Sequence, residues 1–553
     1  MREYFIDSIS EMKKLLSETQ DNDSIKINLK KGIYEVGETI EIKRNNVHIN
    51  GNGSHFYGSK KIKTNGNGKI NEIDLKQYGI DKIPPFSGGP YSDFWDMDIP
   101  KPYMTDFSSG IQLYYNENTM TLSRYPKSGF IKTDKALGTT AAKDHMGENI
   151  GFYEGIVKIS DEEFKKIDDF SNVLLVGYWM FDWAVQRHKI KSFDHRNGIA
   201  EFEKPYHKFG YREENSEFYV LNVKNTLSEK GEWAVDFKNL KLYFIPYDNQ
   251  DYINIALTKD VFYADGKGGI TIENLKISEC TGTGIKIENC KNVSVLDCKI
   301  KNVGAWAVIL DNCCDSSAKN ISVKYTGGGG IAVSGGDRNS LMPSNNIISD
   351  CDLTEVAVWH RTYLPALQVC GCGGTISRNK VYNVPHFAIV FHGNNHVIEK
   401  NEISNACYES NDAGAVYSGR DWTCRGNILR YNYLHDLSGR NNKGCNGFYF
   451  DDALSSADVY GNIFANCYLA VIIGGGRDFK IHNNVFFNCK KDVQIDNRLN
   501  EWGKHFIVNL KKHLSEVDYR NDVWKKAYPE LYTILAQKYW LAENNSVNDN
   551  LII

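Results

Sequence analysis

The chain has 553 residues, a formal net charge of −4 and 41% hydrophobic residues. That balance excludes the strongly basic face that nucleic-acid partners select, and no run approaches the roughly 18 apolar residues of a membrane span. A chain this long exceeds one ordinary core unless its fold is a solenoid that grows by stacking.

In chain order, residues 1–60 are predicted to form a cap and first strands. Ser8–Glu18 has the pattern of a short amphipathic helix able to close the end of a solenoid, and the segments from Ile25, Thr39 and Val47 alternate as strands. The N-terminus lacks a positive region followed by an apolar one, so a cytoplasmic location is expected, with secretion reserved for a chain already trimmed of a leader. Residues 61–255 carry no repeat. Strand-like runs such as Val173-Leu-Leu-Val-Gly-Tyr-Trp179 and Lys241-Leu-Tyr-Phe-Ile-Pro246 predict an inserted β-rich, sandwich-like domain.

Residues 256–505 read as a ladder of short motifs ending in Ile277, Ile300, Val323, Leu353, Val381, Ile403, Leu434, Phe464 and Phe486. The shortest steps are about 22–23 residues, the period of a stacked solenoid. Gly- or Ala-led second strands accompany many rungs, as in Gly284-Ile-Lys-Ile287 and Gly330-Ile-Ala-Val333. No leucine-rich consensus recurs, so the predicted fold is all-β: a right-handed parallel β-helix carrying the inserted domain. Asn379, Asn401, Asn462 and Asn484 recur at one turn and are expected to stack internally. All 13 Cys lie from Cys280 onward without paired CxxC spacing, which predicts free, buried thiols. Residues 506–553 are expected to be a helical tail.

Four steps of the ladder are long, and insertions in solenoids cluster on a binding face. They carry Trp359 and Arg361, Glu409 and Asp412, and His435. The densest stretch is Asp412-Ala-Gly-Ala-Val-Tyr-Ser-Gly-Arg-Asp-Trp422, followed one coil later by Phe448-Tyr-Phe-Asp-Asp452. Strand parity turns Phe448 and Phe450 inward and Tyr449 and Asp451 outward. Coils stack about 4.8 Å apart, so carboxylates on neighbouring coils can reach the roughly 5–9 Å separations of glycoside hydrolysis. Asp412, Asp451, Asp421, Asp452 and Glu409 are the candidate acids. Arg420, Tyr417, Tyr449, His386, His392, His435, Trp359, Arg361 and Arg477 are candidate substrate contacts, with Trp422 as a sugar-stacking floor. The acids also suit Ca²⁺, although nothing defines a ligand set, and no other cofactor is expected. The Gly-rich runs at Gly327 and Gly474 lack the context of phosphate loops.

These motifs, with His386-Phe-Ala-Ile-Val-Phe-His-Gly393 and His396-Val-Ile-Glu-Lys-Asn401, resemble the β-helical carbohydrate-active proteins around glycoside hydrolase family 141. Thr121-Leu-Ser-Arg-Tyr-Pro126 and Gly231-Glu-Trp-Ala-Val-Asp236 are similar to strands of that group's inserted domain. The resemblance implies hydrolysis of a fucoside, xyloside or lacto-N-biose type of oligosaccharide by two Asp. Motif position carries these onto Asp412 and Asp451, with Asp452 or Asp421 as substitutes. A lacto-N-biosidase-like arrangement would pair Asp412 with Asp421. The rival classes are a polysaccharide lyase or uronate epimerase and a non-catalytic glycan-binding protein. The expected partner is an oligosaccharide or polysaccharide rather than nucleic acid or membrane, and a homo-oligomer is left open.

Overall fold

The computed structural model describes residues 1–17, 23–64, 69–86 and 107–553. These form two compact units. One unites Met1–Gly58 with Thr258–Ile553, and the other holds Phe107–Leu257 with residues 59–64 and 69–86.

The first unit is a right-handed parallel β-helix. The nine predicted rung residues, from Ile277 to Phe486, pair in one parallel column, each against its counterpart on the next coil. All nine are buried. A second inward column runs Ile285, Val308, Ile331, Leu367, Ile389, Val416, Phe448 and Val471. Side chains alternate along a strand, so slipping one coil by one residue would turn both its inward sets to solvent. Burial of these columns therefore fixes the register.

The second column belongs to an 11-stranded parallel sheet. Five of its strands lie side by side toward the C-terminal end of the solenoid: β1 (Ile389–Asn394), β2 (Gly414–Gly419), β3 (Asn446–Asp451), β4 (Leu469–Gly474) and β5 (Val493–Asp496).

At the N-terminal end, helix α1 (Ile9–Ser17) buries Met12, Leu15 and Leu16. A strand that the sequence pattern did not reveal, Arg2–Ile6, pairs in parallel with Ile25–Leu29. The second unit is built from small antiparallel sheets. Leu174–Tyr178 lies between Val185–His188 and Glu217–Leu221, and its core gathers Phe164, Trp179, Phe202, Tyr211 and Phe218.

The C-terminal segment departs from a purely helical tail. Helices α2 (Phe506–Ser515), α3 (Asp522–Ala527) and α4 (Pro529–Tyr532) are followed by Ser546–Asn548 and Leu551–Ile552. These two strands pair in parallel with Lys480–His482 and Val485–Phe487 and add a last partial coil.

The reason for that return is visible in the Asn stack. The Asn432 carboxamide oxygen accepts from both the backbone N–H and the side chain of Asn401 (3.1 and 3.0 Å). Its Nδ2 donates to the Ile398 carbonyl and to Asn462 (both 2.9 Å). The pattern repeats through Asn379, Asn401, Asn462 and Asn484, and the ladder ends on Asn550, which accepts from Asn484 at 2.9 Å. Asn550 thus supplies the acceptor that the last full coil would otherwise lack.

Asn432→Ala should orphan a buried backbone N–H and the Ile398 carbonyl. At about 1–3 kcal/mol for each unsatisfied group, a loss of about 2–6 kcal/mol is expected in urea unfolding. Asn432→Asp should give at most a partial rescue, because a carboxylate can accept from the Asn401 N–H but cannot donate to Ile398.

Candidate active site

Outward-facing positions of β2–β5 also align in columns. One reads Tyr417, Tyr449, Ile472, Gln494, and the next reads Gly419, Asp451, Gly474, Asp496. Asp451 and Asp496 are therefore two coils apart with Gly474 between them. A Cβ on Gly474 would stand 2.4 Å from Cζ of Arg498, so the glycine leaves the space that the guanidinium occupies. From there Arg498 donates through Nη1 to Asp451 (2.7 Å) and Asp452 (3.0 Å), and through Nη2 to Asp496 (2.8 Å).

Asp451 also accepts from the Tyr417 hydroxyl at 3.0 Å and from the Asp452 backbone N–H at 2.9 Å. Asp452 adopts positive φ and turns the chain out of the strand. Its carboxylate is gripped by Arg420 through Nε (2.7 Å) and Nη2 (2.6 Å). Arg420 packs over the Phe506 ring at 5.0 Å, and its carbonyl contacts His513 Nδ1 at 2.7 Å, so α2 holds it in place. Asp412 sits just before β2 in a left-handed turn and accepts from the Tyr449 hydroxyl at 2.9 Å. Tyr417 meets Tyr449 edge to face and stacks on Phe387 at 4.5 Å.

Three carboxylates thus share two guanidinium groups. Asp452 is matched by Arg420 and Asp496 by Arg498, while Asp451 receives one shared N–H. Burial, then the charge of Asp452, pushes the Asp451 carboxyl up to about 6, against the pull of Arg498, Arg420 and Tyr417. Asp412 is exposed yet walled by protein, the condition of a group in a recess. Partial desolvation, then Asp451, raises its pKa, with Tyr449, Arg498 and Arg420 opposing. Two carboxyls with raised pKa, each held by one of two touching tyrosines, are the kind of pair that can divide acid and base roles.

The structure brings Asp412, Asp451, Asp452, Tyr417, Tyr449 and Arg420 together, and corrects several other expectations. Asp452 is buried against Arg420 and Arg498, so it is a charge partner rather than a substitute catalyst. Asp421 is fully buried, accepting from the Thr423 N–H at 2.7 Å beside Arg338 and His392. Burial alone would raise its pKa, but Arg338, His392 and Thr423 outweigh it and hold it low. Trp422 floors no sugar: it is buried among Leu510, Leu514 and Trp524 of the C-terminal helices. Glu409 is spent on an ion pair with Arg361, whose Nη2 also donates to Tyr408 at 2.9 Å. Trp359 is half-buried on the same insertion as Arg361.

Burial pushes His386 down to about 3 and His392 to about 4, leaving both neutral. His386 accepts from the Tyr363 N–H at 3.0 Å, a structural role. His435 lies in Tyr433–Leu437 of the other large sheet, stacked on Tyr433, away from the β2–β5 face. Arg477 is buried beside Asp478 and Gln537, fastening the C-terminal segment instead of capping a groove. Arg498 and Asp496 escape a reading of the sequence. They lie beyond the dense motifs, and the signal that points to them is Gly474, a glycine inside a strand that marks a close approach. Among the described residues no group of three or more His, Cys, Asp or Glu is arranged to hold a metal ion.

The sequence family described as right-handed beta helix region matches residues 228–363. No curated protein matches the chain. A solved structure described as a glycoside hydrolase superposes with a TM-score of 0.58 at 14% identity, over 90% of this chain and 96% of its own. That likeness is one of fold, the right-handed parallel β-helix. A GH136 lacto-N-biosidase from Eubacterium ramulus aligns at 14% identity and a TM-score of 0.35, over 54% of this chain and 52% of its own. An alginate lyase from a Paenibacillus species aligns at 15% identity and 0.27, over 38% and 74%. The chemistry rests on the site itself.

Because Trp422 is core, Trp422→Ala should cost about 3–5 kcal/mol in chemical unfolding. It should also speed proteolytic cutting within residues 506–540. A variant as stable and as resistant as wild type would restore Trp422 as a sugar contact.

Proposed function

We propose that this protein is a glycoside hydrolase in which Asp451 is the general acid and Asp412 the nucleophile or general base. The observation that carries the reading is the unequal sharing of two guanidinium groups among three carboxylates. It leaves Asp451 undercompensated, so a proton is retained at this position near pH 6. Its side chain is 13% exposed, enough for one oxygen to meet a glycosidic oxygen. In the first step that oxygen protonates the leaving group, while the ionised, exposed Asp412 attacks the anomeric carbon or activates water there. Tyr417 and Tyr449 orient the two carboxyls through their hydroxyls. The motif resemblance to family 141 supports an oligosaccharide substrate of fucoside, xyloside or lacto-N-biose type. A lyase or epimerase acting on a uronate needs a cation to meet the sugar carboxylate, and Arg420 and Arg498 are already engaged by Asp side chains.

The test is a screen of wild type, Asp412→Asn and Asp451→Asn on aryl glycosides and on fucosylated, xylosyl and milk-type oligosaccharides. Released sugar is read by chromatography, with absorbance for unsaturated products. Each variant should fold and lose about 10²–10⁴-fold in kcat. An unsaturated product would instead make the protein a lyase, and unchanged turnover in either variant would remove that residue from the mechanism.

The pH profile tests the roles separately. With Asp451 as the acid, kcat/KM falls as pH rises through about 6. Arg498 favours the ionised carboxylate, so Arg498→Gln should raise the Asp451 pKa and move this alkaline limb to higher pH. If the acidic limb moves instead, Asp451 is the group that must be ionised.

A further inference from the structure

Outside the site, two thiols stand one above the other near the C-terminal end of the solenoid. Strand Ile463–Cys467 pairs with Val485–Phe487 in the register Ile463 to Val485, Phe464 to Phe486 and Ala465 to Phe487. The register continues past the strands. Asn488 donates to Asn466 at 2.8 Å, and the Lys490 N–H donates to the Cys467 carbonyl at 2.9 Å. Cys467 therefore lies directly beneath Cys489. Adjacent coils are about 4.8 Å apart, inside the about 4.4–6.8 Å Cα window that a disulfide spans. The two side chains interact, and each thiol also donates to a carbonyl, Cys467 to Ala465 at 3.6 Å and Cys489 to Phe487 at 3.7 Å. Cys467 is buried and Cys489 half-buried, between exposed Asn488 and Lys490.

We propose that Cys467 and Cys489 form a reactive thiol pair that low-molecular-weight disulfides convert into a cross-coil disulfide. The neighbouring Cys467 side chain, working against burial, lowers the Cys489 thiol and so favours its thiolate as the attacking group. That thiolate attacks one sulfur of the oxidant, whose S–S bond breaks and whose other half leaves as a thiolate. Cys467 then gives up its proton and attacks the Cys489 sulfur, and the second small thiol leaves. Two protein thiols are oxidised, and one small disulfide is reduced to two thiols. Cys407 and Cys445 are also in thiol contact nearby, but both are buried, so the oxidant enters at Cys489. The bond would join the coil of β4 to the turn that leads into β5, Asp496 and Arg498. Oxidation thereby fastens the segment that grips Asp451, whatever reaction the site performs.

The full-length protein is incubated with oxidised glutathione under native conditions, alkylated and digested for mass spectrometry. Wild type should lose two of its 13 alkylatable cysteines and yield a Cys467–Cys489 linked peptide. Cys467→Ser should stop at a glutathione adduct on Cys489, and Cys489→Ser should retain Cys467 unmodified. The wild-type result stands alone if a variant fails to fold. Retention of all thiols, a lasting adduct in wild type, or a link from Cys489 to Cys445 would overturn the proposal.

Discussion

Parallel coils held in register at about 4.8 Å are the constraint on which this molecule depends. Once burial of the Ile277–Phe486 column sets the register, every other position is set with it. The same spacing that stacks aliphatic side chains inside the solenoid stacks Asn379 to Asn550 at a turn, and stacks Asp451 over Gly474 over Asp496 outside. A carboxylate column at that spacing would repel itself. The alternation of Asp with Gly doubles the interval between charges and opens the gap into which Arg498 fits. Backbone geometry therefore decides how much countercharge each carboxylate receives.

That sharing is what distinguishes the two proposed catalytic carboxyls from their neighbours. Asp421 shows the contrasting case: more deeply buried than Asp451 and only a turn beyond β2, it is held ionised by Arg338 and Thr423. Burial raises the pKa of both, and the number and aim of the donors decide the outcome. Asp452 and Asp496 are each ion-paired, with Arg420 and Arg498 respectively. Acid residues in a dense motif thus divide into ion-pair members and proton holders by what faces them, not by their spacing along the chain.

Much of the fold was legible because a solenoid writes its core as a repeat. Ile277 through Phe486 and the four stacked Asn could be placed from period and parity alone, as could the inward Phe448 and Phe450 against the outward Tyr449 and Asp451. The failures share one cause. Trp422, Arg477 and Asp421 look like groove residues by composition, yet they are covered or paired by segments outside their own coil: α2 and α3, Gln537, and Arg338. Asn550 and Arg498 act on partners 66 and 47 residues away, respectively. No local pattern records such contacts. Even the correct outward assignment of Asp451 said nothing of the guanidinium that covers it.

The C-terminal segment is therefore part of the site's construction. It leaves the solenoid after β5, places Arg498 over Gly474, packs Phe506 against Arg420 and wraps α3 onto Trp422. It then re-enters as the strands that end the Asn ladder and close the coil stack. Both ends of this segment are anchored in the solenoid, while its middle supplies the groups that set the charge of Asp451 and Asp452. Loosening either anchor would leave the β2–β3 framework intact, because its register is fixed by the inward columns, yet would release Arg498 and Arg420 from their aim. Stability of the scaffold and tuning of the carboxyls are thus separable in this fold: the first lives inside the coils and the second in the chain that closes over them.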